Sequence, residues 1–81
     1  MSLNDLTSLD MLLEGEEAEV VMLVGGRGLV TRLAEMGITP GTRIRIVRRI
    51  GNRGPVEVYV RGSILALGWG IARKIMVKRV S

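Results

Sequence analysis

Turn residues interrupt this chain so often that only short elements fit between them. Gly15, the run Gly25-Gly26-Arg27-Gly28, the stretch Gly37-Ile38-Thr39-Pro40-Gly41, residues 51–55 (GNRGP), Gly62, and Gly68 with Gly70 each break a periodic segment. Most of the intervening segments alternate apolar and polar residues, the period of a half-buried strand. With 81 residues the chain has room for one core, and a second domain is not expected.

The periodicities place the elements. Residues 7–13 (TSLDMLL) set Leu9, Leu12 and Leu13 at helical spacing and predict one or two helical turns closed by Gly15. Residues 17–24 predict a first strand, with Ala18, Val20, Met22 and Val24 on one side and burial spreading to both sides toward its end. Leu29, Val30, Leu33 and Met36 then form the stripe of an amphipathic helix. Gly37 stands where a left-handed cap favours glycine, Ile38 where an apolar residue packs back on the last turn. Thr39-Pro40-Gly41-Thr42 has the composition of a type II turn. A second strand begins at Arg43, and its alternation reverses at Val47 and Arg48, as at a bulge. A hairpin over residues 51–55 leads to a third strand with Val56, Val58 and Val60 inward. A turn around Gly62 leads to a fourth strand (64–67), one helical turn lies within 68–74, and a last strand covers 75–79. The fold class expected is mostly β: a small SH3-like five-stranded barrel with one helix after the first strand and a short N-terminal helical turn. Barrel closure would dispose of the sheet edges.

The residues that are missing narrow the function. Cysteine and histidine are both absent, which removes thiolate nucleophiles, disulfides, the commonest general base and the usual zinc constellations together. No catalytic residue, no metal site and no cofactor are therefore expected. The first five residues carry no positive charge and no apolar run reaches the ~18 residues of a spanning helix, so a cytoplasmic protein is expected. Charge is divided along the chain: residues 1–20 hold six of the eight acids and no base, while the rest holds all twelve bases against Glu35 and Glu57. The acidic segment must either face away from the basic one or be laid over it. Ten of the bases are arginine, five of them between Arg43 and Arg53, and small basic barrels do bind nucleic acid. Yet Tyr59 and Trp69 are the only aromatic residues, too few for a base-stacking platform. The acids Glu14, Glu16, Glu17 and Glu19 read as a solvated face rather than a cation site.

Several motifs stand in a fixed order: Leu9-x-x-Leu12-x-x-Gly15-Glu16, then Arg32-Leu33-x-x-Met36-Gly37-Ile38-x-Pro40-Gly41, then Gly62-x-x-Leu65-Ala66-Leu67 and Ile75-x-Val77. In these the chain resembles the FeoA domain family, over roughly residues 8–78. The resemblance implies an SH3-like barrel and a small cytosolic accessory of ferrous iron transport, with no catalytic residues. It further implies a partner, the cytosolic GTP-binding part of the FeoB membrane permease, so that the protein would be peripheral to the membrane through that partner. No small-molecule substrate is implied. Relatives of the domain also form C-terminal modules of iron-dependent repressors, and a basic barrel binding nucleic acid is the alternative reading. The sequence departs from the family pattern after Leu67, where Gly68-Trp69-Gly70-Ile71 intervenes.

Four residues are the candidates for partner contact. Trp69 lies between two glycines at the point of departure, and tryptophan and arginine are enriched among interface anchors. Arg27 opens the helix inside a glycine run that could hold an anion, Arg32 begins the central motif, and Arg73 follows the last helical turn. Gly37, Pro40, Gly41 and Gly62 are expected to set turns and caps.

Overall fold

The computed structural model describes residues 6–80; the reading of residues 1–5 lies outside them. The elements in order are β1 (Leu6–Ser8), a 3₁₀ turn (Leu9–Met11), β2 (Glu17–Leu23), α1 (Arg27–Glu35), β3 (Arg43–Arg49), β4 (Val56–Val60), β5 (Ser63–Leu67), α2 (Trp69–Ala72) and β6 (Ile75–Arg79). The strands form one antiparallel sheet in the order β1-β6-β2-β3-β4-β5. It curls around an aliphatic core in which Leu9, Leu12, Leu33, Ile38, Ile44, Ile46, Ile75 and Val77 are among the fully buried side chains. Burying a side chain of that size stabilises by about 1.5 to 3 kcal/mol, so the core carries the fold.

Helix α1 stops where its sequence provides a terminator. Gly37 has φ +86°, and its N–H donates to the Ala34 carbonyl at 2.9 Å while that of Ile38 donates to Leu33 at 2.8 Å. That pair of bonds is the Schellman arrangement, and Ile38 and Leu33 are both buried beside it. A Cβ at residue 37 would also lie 2.8 Å from Cδ of Arg61, whose Nε donates to the Gly37 carbonyl at 2.9 Å. The next turn has Gly41 at φ +93°, with Thr42 N–H donating to the Thr39 carbonyl at 3.0 Å and Pro40 at its first central position. Gly62, φ +83°, and Arg61, φ +49°, make the two-residue β4–β5 connection. In β3 the register with β4 shifts between Ile46 and Arg48, at the point where the sequence alternation reverses.

Three expectations need correction. The sheet has six strands rather than five, because Leu6–Ser8 pairs with β6 and only Leu9–Met11 is helical. The partner lies outside the segment, in β6, and guanidinium Nη1 of Arg49 holds the turn that follows, donating to the carbonyls of Asp10 at 2.5 Å and Leu12 at 2.6 Å. Strand β2 loses burial along its length instead of gaining it. Ala18 and Val20 are buried, but a register shift between Val20 and Met22 leaves Met22 and Val24 exposed. Finally, among the described residues the sheet retains two edges, β1 and β5, each paired on one side only.

Candidate partner-binding surface

The helix stripe is wider than the core can accept. Leu33 is buried, Leu29 packs partly against the core, and Val30 and Met36 remain exposed. Facing Leu29 and Met36 are the end of β5 and the start of α2, and between the two lies a groove of about 130 Å³ lined by Leu29, Arg32, Met36, Ala66, Gly68 and Ile71, with Leu33 and Leu67 beneath. Its far side is fixed by α2, where the Gly68 carbonyl accepts from the N–H groups of Ile71 and Ala72 at 3.0 and 2.9 Å.

Trp69 opens α2 beside the groove-lining Gly68 and is half-buried. The Arg73 guanidinium lies 4.9 Å from the indole ring centre, and that of Arg53, from the β3–β4 loop, 5.5 Å away. Such contacts at exposed sites contribute about 0.5 to 1 kcal/mol each and hold the guanidinium while leaving its N–H groups free to bond outward. Of the residues singled out in the sequence, the structure brings Trp69 and Arg73 together and places Arg32 on the groove. It adds Arg53, which lies sixteen positions before Trp69 and is brought to the ring by the hairpin.

The arginines divide into two sets. On the side of the acidic segment most are engaged: Arg43 pairs with Glu17 at 3.6 Å, Arg79 with Glu16 at 3.1 Å, and Arg49 holds the backbone of residues 10–12 while its own N–H donates to Glu14 at 2.9 Å; Arg45, opposite Glu17 in the sheet, rests on Tyr59 instead. The acidic segment is thus laid over part of the basic one. Leu13 N–H, donating to Glu16 at 2.7 Å, lowers the Glu16 carboxyl below its ordinary value, and Arg79 adds to this against an opposing desolvation. Arg48 pairs with Glu57 at 3.4 Å. By contrast Arg27, Arg32, Arg53 and Arg73 have neither a carboxylate nor a hydrogen-bond acceptor among the described residues. All four are exposed. Arg27 stands in the first turn of α1, where the positive end of the helix disfavours a cation, and it does not line the groove. The glycine run before it has a packing reason, because a Cβ on Gly25 would collide with Cδ2 of Leu29.

Among the described residues no three of His, Cys, Asp or Glu gather as a metal site, and no helix is long and apolar enough to cross a membrane. What the arrangement offers is an apolar groove with uncommitted cations and one aromatic ring beside it.

Comparison with known proteins places this geometry in a family. The model of the FeoA domain matches residues 7–79. A Methanocaldococcus jannaschii protein provisionally named Fe(2+) transport protein A is 42% identical over 65 residues, covering 80% of this chain and 77% of its own. A crystal structure of an iron uptake regulatory protein (FeoA) superposes with a TM-score of 0.84 at 31% identity, covering 93% of this chain and 97% of that one. The same fold occurs in a manganese-dependent transcriptional repressor, with a TM-score of 0.84 at 21% identity, where 93% of this chain covers 42% of the longer one.

Proposed function

The chain belongs to the FeoA domain family, and from that premise we propose that it is a non-enzymatic, cytoplasmic accessory of ferrous iron transport. In this reading residues 1–81 act as one domain that docks on the cytosolic GTP-binding part of a FeoB-type permease and modulates it. The observation that supports docking is Arg32 on the groove together with the uncommitted Arg53 and Arg73 gathered on Trp69 next to its wall, the residue types that dominate interface hot spots. Basic groups on the rim would steer an acidic partner surface and set the association rate, while the groove and ring would hold it.

The nucleic-acid alternative loses ground on the same geometry. Each of the two aromatic rings already carries a guanidinium, Tyr59 that of Arg45 at 5.2 Å and Trp69 those of Arg53 and Arg73. A base stacking on Trp69 would have to displace two of them. The test is a pull-down of the immobilised chain against the permease's cytosolic domain, with an unrelated GTP-binding domain as control. Retention of the permease domain alone is expected. Equal retention of both, or of neither, rejects the reading.

A further inference from the structure

The two arginines on Trp69 form a unit apart from the groove. Neither Arg53 nor Arg73 lines it, and they reach the ring from separate segments, one from the β3–β4 loop and one from the C-cap of α2. Their guanidiniums lie 5.5 and 4.9 Å from the same ring centre. Two positive charges are therefore held within about a Debye length of each other at physiological salt.

Nothing among the described residues neutralises them. The ion pairs there use Arg43, Arg48 and Arg79, and the hydrogen bonds from guanidinium groups come from Arg49, Arg61 and Arg79. Both Arg53 and Arg73 are exposed. Like charges this close repel, and a single ring is shared between them. A guanidinium stacked on a ring keeps its N–H edge free, and that fork matches the oxygens of carboxylate and phosphate. The chemistry of the anion decides between those two. A carboxylate carries one charge and fills one fork, whereas a phosphate monoester carries about −1.5 to −2 at pH 7 on three acceptor oxygens and answers both.

We propose that Arg53 and Arg73, held on Trp69, form a binding site for a phosphate monoester in its dianionic form. The ring restrains both side chains before the ligand arrives, so less rotamer freedom is lost on binding. A phosphodiester, with one charge, satisfies only half of the pair. The site rests on the docking reading for its place on the surface and names the anion taken there, but it needs only this chain. A chain that binds the ester and ignores the permease domain upholds the site and rejects the docking reading, and retention of the domain without ester binding does the reverse.

Trp69 is the only tryptophan, so its emission reports the site directly. Titration with methyl phosphate at pH 7 and fixed ionic strength should change that emission saturably, with a dissociation constant on the order of 1 mM. Dimethyl phosphate, a monoanion, should bind at least about tenfold more weakly. The chain has no histidine and no cysteine, so between about pH 5.5 and 7 no side chain of ordinary pKa titrates, whereas the second ionisation of the ester lies near 6. Methyl phosphate should therefore bind at least about threefold more weakly at pH 5.5, and sulfate, a dianion at both values, should not change. Read by calorimetry, Arg53→Gln and Arg73→Gln should each weaken binding at least about fivefold, while Arg27→Gln, equally free but with no ring beside it, should leave it within about twofold. A phosphoserine peptide separates the sources: binding about tenfold tighter than methyl phosphate assigns the ester to a phosphorylated chain, equal binding to a free ester, and either upholds the site. No saturable change up to about 20 mM overturns the proposal, as does equal affinity for the two methyl esters, or a loss with Arg27→Gln as large as with Arg73→Gln.

Discussion

The acidic-segment side and the groove side of this protein spend the same residue type differently. On the first, Arg43, Arg49 and Arg79 are tied to Glu17, to the backbone of residues 10–12 and to Glu16. On the second, Arg32, Arg53 and Arg73 meet no acceptor among the described residues, and two of them rest on Trp69. A net charge of +4 therefore understates the asymmetry, because internal pairing cancels much of the charge on one side only. The difference teaches that arginine serves as a staple where the chain must be held and as a contact group where the surface is left open.

Substitutions that break this division should separate stability from binding. The largest loss of stability is expected for Arg49→Ala, about 2 to 3 kcal/mol by denaturant unfolding, since it orphans two part-buried carbonyls. A shift below about 0.5 kcal/mol would mean that the segment is not stapled. Gly37→Val should cost about 1 to 3 kcal/mol, because φ +86° strains a branched residue and its Cβ would press on Arg61. Unchanged denaturant midpoints would place the end of α1 elsewhere. On the groove side the order reverses. Trp69→Ala should change unfolding by less than about 1 kcal/mol while costing about 2 kcal/mol or more of partner binding. A cost of about 3 to 5 kcal/mol in stability would instead make it a core residue.

The local punctuation of the fold was legible because its causes are local. Gly37 before Ile38 terminates a helix wherever they occur after such a stripe, and Pro40-Gly41 permits few turns. The reversal at Val47 and Arg48 announced a bulge for the same reason. What could not be read depends on pairs distant in sequence. Residues 7–13 do hold the expected helical turn, at Leu9–Met11, but the strand that precedes it depends on Lys78, Val77 and Met76 of β6, and the turn is held by Arg49 from β3. The stripe on α1 signalled a buried helix, yet its surplus became one wall of a groove whose other wall, Ala66 to Ile71, lies thirty residues on. Free and engaged arginines look alike in a sequence, and Arg53 was passed over for that reason.

The smallest effect expected is on pH dependence. Glu16 titrates lower in the folded chain than its ordinary 4.5, so its stabilisation is complete above that value and fades as pH falls through the lower folded one. Unfolding measured on the acid side of pH 4.5 should show a smaller decline for Glu16→Gln than for the wild type, and parallel curves would remove Glu16 from the staple.

The central claim, that the uncommitted cations of the groove side form the docking surface, is tested most directly by calorimetric titration of the permease's cytosolic domain with charge-reversed variants. Arg32→Glu with Arg73→Glu is compared with Arg43→Glu on the opposite side, each first shown to unfold at the wild-type denaturant midpoint. The account predicts that the groove-side pair weakens binding by at least about tenfold, or 1.4 kcal/mol, while Arg43→Glu changes it by less than about twofold. Equal losses from both, or a larger loss from Arg43→Glu, would contradict it.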